Sequence, residues 1–408
     1  MPLLNDAMST LATGRATEMF AEDMRQHRTE IAEQLRGKHV LVIGGAGSIG
    51  AATIHALAEF EPEALHVVDT NENCLAELLR DLRSRERGLA VPDFRVLPLD
   101  FGSPIMQRFL RDQSPYHIVF NFAAVKHVRS EKDVPSVLHM LETNVLKQAR
   151  LLEWLGDQGT AYKYFSVSTD KAANPVNLMG ASKRLMEHVI FSGAVASSAT
   201  ASVTSARFAN VAFSNGSLLQ SFLFRLEKRQ PLAVPGATRR FFVSLSEAAQ
   251  TCLLAALCAP DKHIVVPRLH PEKDMHELDS IAMAVLRHQG LVPRIYEDEE
   301  EARRNIDADM TVGKYPLLVT PLDTAGEKPF EEFVSDVEET VELGMIQLLG
   351  IRYHPAKEDA IRRLLDELRQ LVGSPETLVT KRQIIDAVTV VVPEFQHTET
   401  GKNLDDRM

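Results

Sequence analysis

Residues 39–60 read HVLVIGGAGSIGAATIHALAEF. The run from His39 to Ile43 is short, continuous and apolar, as expected of a parallel strand buried on both faces. Gly44, Gly45, Gly47 and Gly50 follow, and the pattern predicts a helix from about Ile49 to Phe60. Both Gly45-x-Gly47-x-x-Gly50 and Gly44-x-x-Gly47-x-x-Gly50 are forms of the dinucleotide fingerprint. Small residues there let the backbone turn tightly and approach a pyrophosphate, whose charge faces the helix N-terminus. A second apolar run, Leu65 to Val68, ends in Asp69, nineteen residues beyond Gly50. An acid at that distance accepts hydrogen bonds from the adenosine ribose and repels a 2′-phosphate, which favours NAD over NADP. Asp69 reads equally as the cap of a helix beginning at Glu72, and the two roles are compatible.

Working outward, the alternation continues with a helix Asn73 to Arg87, a strand Phe94 to Leu99 ending in Asp100, and a helix Pro104 to Arg111. A strand His117 to Phe120, a long helix from about Pro135 to Gly156 and a strand Tyr162 to Val167 come next. This βαβ succession implies an α/β fold with a doubly wound parallel sheet. The small pair Ala123-Ala124 after a strand lets backbone lie close to a cofactor. Lys126, His127 and Arg129 beyond it read either as partners for substrate phosphate or sugar hydroxyls, or as a solvated basic turn. A strand Ala201 to Phe208 leads to Asn210, the turn 214–217 and a helix Leu218 to Lys228. Arg239-Arg240 then opens a strand through Val243, opposite that Asn/Ser/Gly turn, which suits a phosphate or diphosphate clamp.

Beyond Pro260 the strand–helix rhythm fades. Residues 272–289, 330–349 and 356–372 read as helices, Leu317 to Thr320 as a strand, and the acidic run from Glu297 to Arg304 as a solvated helix start. Residues 397–408 read as a tail or docking arm. At the other end, residues 15–36 read as one helix with Met19, Phe20, Met24, Ile31 and Leu35 on one face, packed on the body or on a second subunit. The expected division is 1–37 as a helical segment, 38–208 as a dinucleotide domain, 209–333 as a smaller substrate region and 334–408 as a mainly helical extension.

The 408 residues suffice for two or three domains. With 45% hydrophobic and 25% charged residues, the composition is that of a globular protein. A net charge of −11 without a long basic run argues against nucleic acid as a partner. The three cysteines, Cys74, Cys252 and Cys258, have no metal spacing, so neither a metal site nor a disulfide framework is expected. No apolar run has the length of a membrane span, and no signal-peptide pattern opens the chain, so a cytoplasmic location is expected.

Residues 165–183, FSVSTDKAANPVNLMGASK, carry the densest chemistry. A buried strand ends in Ser168, Thr169, Asp170 and Lys171, and a turn through Asn174-Pro175 leads to a helix bearing Lys183. A hydroxyl, a carboxylate and an amine at one sheet edge are three proton-handling groups where open α/β sheets bind ligands. From these residues alone a polar loop after a core strand is an equal alternative.

Several runs together identify a relationship: IGGAGSIG (43–50), VVDTNEN (67–73), NFAAVKHVRSEKD (121–133), STDKAANPVNLMGASKR (168–184), ARFANVAFSNGS (206–217), RRFFVSLSEA (239–248) and TAGEKPFEEF (324–333). The chain resembles the nucleotide-sugar 4,6-dehydratases of polysaccharide biosynthesis, which act on UDP-N-acetylglucosamine, within the extended short-chain dehydrogenase/reductase superfamily. The resemblance implies a Rossmann fold, bound NAD, a nucleotide-sugar substrate and a homo-oligomer. It also implies a reaction in which C4 of the hexose is oxidised, the C5 proton is removed, water leaves from C6 and hydride returns to C6. Cofactor contacts are implied at Gly44, Gly47, Ser48, Ile49, Gly50, Asp69 and Asn71, then at Asp100, Phe101, Ala123, Ala124, Lys126, Asn144 and Lys183. Substrate contacts are implied at Lys126, His127, Asn210, Ser217 and Arg240.

By position, Lys171 is the implied C5 base and Asp170 the acid for the C6 hydroxyl. A base at Lys171 calls for a lowered pKa, and an acid at Asp170 for a raised one. One position departs from the superfamily: Met179 stands four residues before Lys183, where the usual pair is Tyr-x-x-x-Lys. A thioether accepts no proton of that kind. Thr169, bonded to Asp170, is the expected carrier of the C4 proton, and Lys183 keeps the ribose role. A 4-epimerase or dehydrogenase on the same fold, or a non-catalytic binding protein, are the alternatives.

Overall fold

A computed structural model describes residues 2–86, 88–195, 200–321, 330–374, 376 and 378–397, apart from the side chains of residues 2–6 and of Arg129. Two helices, α1 (Pro2–Thr13) and α2 (Ala21–Leu35), precede the first half: β1 (His39–Ile43), α3 (Ser48–Ala58), β2 (Ala64–Asp69), α4 (Glu72–Ser84), β3 (Asp93–Pro98), α5 (Pro104–Asp112), β4 (Ile118–Asn121), α6 (Val134–Leu141), α7 (Lys147–Gly156), β5 (Tyr162–Thr169) and α8 (Leu178–Phe191). The second half contains β6 (Thr200–Phe208), β7 (Asn210–Val211), α9 (Leu218–Glu227), β8 (Leu232–Pro235), β9 (Arg239–Val243), α10 (Leu245–Leu257), β10 (His263–Pro267), α11 (Pro271–Asp274), β11 (Met275–Glu277), α12 (Leu278–His288), β12 (Val292–Tyr296), α13 (Glu299–Thr311) and β13 (Lys314–Thr320). It closes with β14 (Thr340–Glu342), β15 (Leu348–Arg352), α14 (Glu358–Gly373) and α15 (Lys381–Val391).

Nine strands form one sheet in the order β14-β15-β10-β6-β5-β4-β1-β2-β3. Pairing is parallel from β3 through β10 and antiparallel at β15 and β14. The order reverses between β1 and β4, and ligands bind at such a switch point, beyond the strands' carboxyl ends. The apolar runs become strands because both faces are covered: every residue of β4 is buried, as are Val40 to Ile43 of β1. Helix starts follow side-chain caps: Ser103 before α5, Asn177 before α8, Ser217 before α9, and a Ser244–Glu247 capping box before α10. Two three-stranded sheets, β11-β9-β7 and β12-β13-β8, form the smaller region beside the carboxyl edge.

Five expectations are corrected. Residues 15–36 are not one helix: α2 begins only at Ala21, and α1 precedes it, with Met8 and Ala12 packed into a core shared with β8 and α12. The buried Asp23 of α2 accepts hydrogen bonds from Ile346 N (2.6 Å) and Gln347 N (2.9 Å), so this helix sits on its own body. The long helix 135–156 is interrupted by a π-turn, Glu142–Leu146, between α6 and α7. The rhythm does not fade after Pro260, because β10, and then the unit β12–α13–β13, continue it in parallel sheets. Within 272–289, β11 pairs with β9 before α12 begins.

The stretch 330–349 is not helical at all. Gly344 takes a left-handed conformation (φ +76°) between β14 and β15, which pair with each other, while β15 also pairs with the distant β10, as in His263↔Arg352. The predicted helix at 356–372 and strand at 317–320 are present in α14 and β13. Residues 324–329 of the TAGEK run and the tail 398–408 lie outside the described residues.

Candidate active site

A cleft of about 980 Å³ opens at the carboxyl edge of the sheet across the β1/β4 switch point. That is the upper end of the range of about 300–1,000 Å³ for small-molecule sites. The glycine turn forms its floor. Gly44 is left-handed (φ +70°), and a Cβ there would lie 2.5 Å from Ala123 N; one on Gly50 would lie 2.5 Å from Gly44 O. The two strand ends at the switch point therefore meet backbone to backbone. A Cβ on Gly47 would meet nothing closer than 3.4 Å, so the space above it belongs to the cleft, where α3 presents its first N–H groups. Asp69 ties this turn down, with Oδ2 accepting from Ala46 N (3.0 Å) and Oδ1 from Asn71 N (2.9 Å). It does not cap α4. Asn71 does, accepting from Cys74 N at 3.1 Å, and Asn71 does not line the cleft.

Asp100 and Phe101 line the same end. Burial pushes the Asp100 carboxyl up, but Lys147 Nζ at 2.5 Å and the Gly102 N–H hold it below the usual carboxylate range. The expected contact at Asn144 becomes a supporting role. Its fully buried amide accepts from Val125 N (2.9 Å) and donates to Val125 O and Ser182 Oγ (2.9 Å each), which fixes the chain beyond Ala123 and Ala124.

At the end of β5 the proton-handling groups meet. Thr169 Oγ1 donates to Asp170 Oδ1 at 2.7 Å, and the same oxygen receives Lys171 N (2.9 Å) and Lys171 Nζ (3.2 Å). Among the described residues Asp170 Oδ2 takes no hydrogen bond. A residue without an expected role joins them: Glu331 Oε1 lies 3.5 Å from Lys171 Nζ. Burial lowers the proton affinity of Lys171, but Asp170 and Glu331 outweigh it and raise the amine above its ordinary value. The lowered pKa expected of a lysine base is therefore not met in this state.

Met179 is buried (3% exposed) and lines the cleft, with its backbone N–H bonded to Glu131 at 3.0 Å. Lys183, one helical turn on, is 4% exposed, and among the described residues its Nζ has only the Met186 thioether as a partner, at 3.2 Å. Burial pulls its pKa down to about 8.

The opposite wall carries the substrate candidates. Lys126, His127, Asn210, Ser217 and Arg240 all line the cleft. Lys126 Nζ donates to Asn215 O (3.0 Å), and Asn215 N donates to Ser48 Oγ (2.7 Å), so the turn 214–217 crosses to the glycine turn. Ser217 caps α9 by accepting from Gln220 N. The described structure does not include the Arg129 side chain. Sequence reasoning passed over Arg225 of α9 and Thr143 of the π-turn, both cleft residues. Arg225 follows the capped start of α9 by two turns, a signal that was present; Thr143 depends on the π-turn, which has no sequence signature. Among the described residues Thr143 Oγ1 is buried without a hydrogen-bond partner.

An amine bonded only to a thioether, an orphaned hydroxyl and an open helix N-terminus fit a dinucleotide cofactor along this floor. The family model described as polysaccharide biosynthesis protein matches residues 40–348. The chain belongs to this family. Among its relatives, the uncharacterized membrane protein MJ1061 of Methanocaldococcus jannaschii is 30% identical over 312 residues, 76% of this chain and 84% of that one. The probable polysaccharide biosynthesis protein EpsC of Bacillus subtilis is 28% identical over 267 residues, 64% and 43% respectively. The UDP-N-acetylglucosamine 4,6-dehydratase (inverting) of Campylobacter jejuni is 26% identical over 235 residues, 53% and 63%. The chain thus spans less than two thirds of the last two. The X-ray structure of Pen from Bacillus thuringiensis shares the fold, with a TM-score of 0.63 at 21% identity over 82% of this chain and 98% of that one. No helix among the described residues is long and apolar enough to cross a membrane.

Proposed function

We propose that this family member is an NAD-dependent 4,6-dehydratase of a nucleotide-activated hexose, with UDP-N-acetylglucosamine as substrate. The hydrogen-bonded series Thr169, Asp170, Lys171 at the end of β5 carries the reading. An epimerase or a simple dehydrogenase needs no acid at C6, whereas dehydration needs one there and a base at C5. NAD, which the glycine turn, Asp69 and Lys183 would hold, would supply oxidation at C4 and reduction at C6.

The residues divide the proton work. Thr169 Oγ1 accepts the C4 hydroxyl proton while passing its own to Asp170 Oδ1, so no tyrosine is needed at position 179. Asp170, now protonated, delivers that proton to the C6 hydroxyl, which leaves as water. Lys171 takes the C5 proton and later returns it to C5. Lys183 holds the nicotinamide ribose; Lys126, His127 and Arg240 offer cationic and hydrogen-bonding groups to a diphosphate and sugar. The test is mass spectrometry after incubation with a panel of UDP- and GDP-hexoses. Loss of one water from UDP-N-acetylglucosamine is expected, and unchanged mass with C4 epimerisation would overturn the reading.

A further inference from the structure

Lys171 sits between two carboxylates. Its Nζ lies 3.2 Å from Asp170 Oδ1 and 3.5 Å from Glu331 Oε1, and each carboxylate side chain is only 5% exposed. Glu331 follows β13 in the chain, far from β5 in sequence, and only the fold brings the three together. The dehydratase reading needs Lys171 neutral at the moment C5 is deprotonated, whereas this arrangement favours the ammonium. Asp170 is a poor recipient for the surplus proton. In the dehydratase reading its carboxyl is reserved for the C4 proton, which reaches it from Thr169 Oγ1 and goes on to C6.

We propose that Glu331 accepts the resting proton of Lys171, forming with Asp170 a three-member relay in which Glu331 arms the C5 base; this rests on the dehydratase reading. In the step a Lys171 Nζ–H bond breaks and a Glu331 Oε1–H bond forms, leaving a lone pair on Nζ. That lone pair takes the C5 proton, and the C5–H electron pair moves toward the C4 ketone. After reduction at C6, Lys171 returns the proton to C5 and Glu331 returns its own to Lys171, with no net gain or loss. Two conditions drive the transfer. Arg240 disfavours a second cation nearby, and in full turnover protonation of Asp170 by the C4 proton adds to this by removing one of the anions that hold the ammonium. In a site emptied of water a neutral amine–acid pair replaces a buried ion pair, whose desolvation is costly.

The experiment uses the isolated 4-keto-6-deoxy product, whose C5 proton is already acidic, and the full chain with its bound cofactor. Deuterium uptake at C5 from D2O is followed by mass spectrometry between pH 6 and 9 for wild type, E331Q and E331D. The relay predicts a flat wild-type profile and an E331Q rate at least about 100-fold lower at neutral pH. The E331Q rate then rises about tenfold per pH unit, as hydroxide replaces the missing acceptor. E331D keeps the flat profile. E331Q exchange equal to wild type, or lowered by a pH-independent factor, would overturn the relay. If wild type neither exchanges C5 nor dehydrates UDP-N-acetylglucosamine, the dehydratase reading falls and the relay with it.

Discussion

Lys183 shows how a single residue carries information about a ligand. A long amine is held almost without solvent beside a thioether, a poor partner for an ammonium. With a folded pKa near 8 against an ordinary 10.5, the unfolded chain binds more protons between those values. Stability of the cofactor-free protein is therefore expected to rise from pH 8 to 10.5 by up to roughly 3 kcal/mol, and urea unfolding of K183M is expected to lack that rise. The same variant is expected to bind NAD at least about tenfold more weakly by calorimetry, as it loses a charge-assisted hydrogen bond to the ribose. Replacing Thr169 by Val is expected to lower turnover by about 100-fold or more while sparing C5 exchange on the ketone product. Lys171→Ala is expected to do the reverse and abolish exchange. An equal loss of both activities in T169V would remove Thr169 from the C4 pathway. The residue chemistry at 168–171 was legible in the sequence because four contiguous positions share one strand end. Glu331 was not, since nothing local links it to Lys171.

At the scale of elements, β5, α8 and β6 are joined by a buried ionic cluster. Ser168 Oγ donates to Glu187 (2.6 Å), Arg207 grips Glu187 (2.9 and 2.8 Å), and both Arg207 and Arg184 reach Glu338 beyond β13. Arg207 and Glu187 are wholly buried, and Glu338 is held down to a pKa of about 2, burial being outweighed by Arg207 and Arg184. Breaking such a network from one side leaves an unneutralised charge, so E338Q is expected to cost about 3 kcal/mol by urea unfolding at pH 7. The folded carboxyl is depressed, so wild type loses this contribution as pH falls from 4.5 toward 2 and the gap between the two proteins narrows there. The parallel strands were legible as apolar runs, whereas the one helix cap read from the sequence, Asp69, gave way to Asn71. The π-turn at Glu142–Leu146 and the edge strands β14 and β15 were not. Phe333, Met345 and Leu348 are buried at spacings a helix would also give, and only pairing with β10, some eighty residues upstream, decides for strand.

For the whole molecule, the last part of the chain closes the core. Leu365, Leu368, Ile384 and Val388 of α14 and α15 share one buried cluster with Leu141, Leu178, Met179 and Leu185, so they press on the helix that bears Met179 and Lys183. A chain ending at Arg352 is expected to bare that cluster, bind a hydrophobic dye and fail to give a cooperative melt, although it spans the matched region. A cooperative melt at the full-length temperature would show instead that α14 and α15 are dispensable. Lys126 and Ser48 grip the two sides of Asn215, so the turn 214–217 stands as a bar across the end of the cleft proposed to take the pyrophosphate. A cycle that oxidises and then reduces its own substrate never requires the dinucleotide to depart. The expected residence time is thus long against turnover: protein dialysed for a day keeps its NAD, and S48A, with one side of the bar unlatched, releases it.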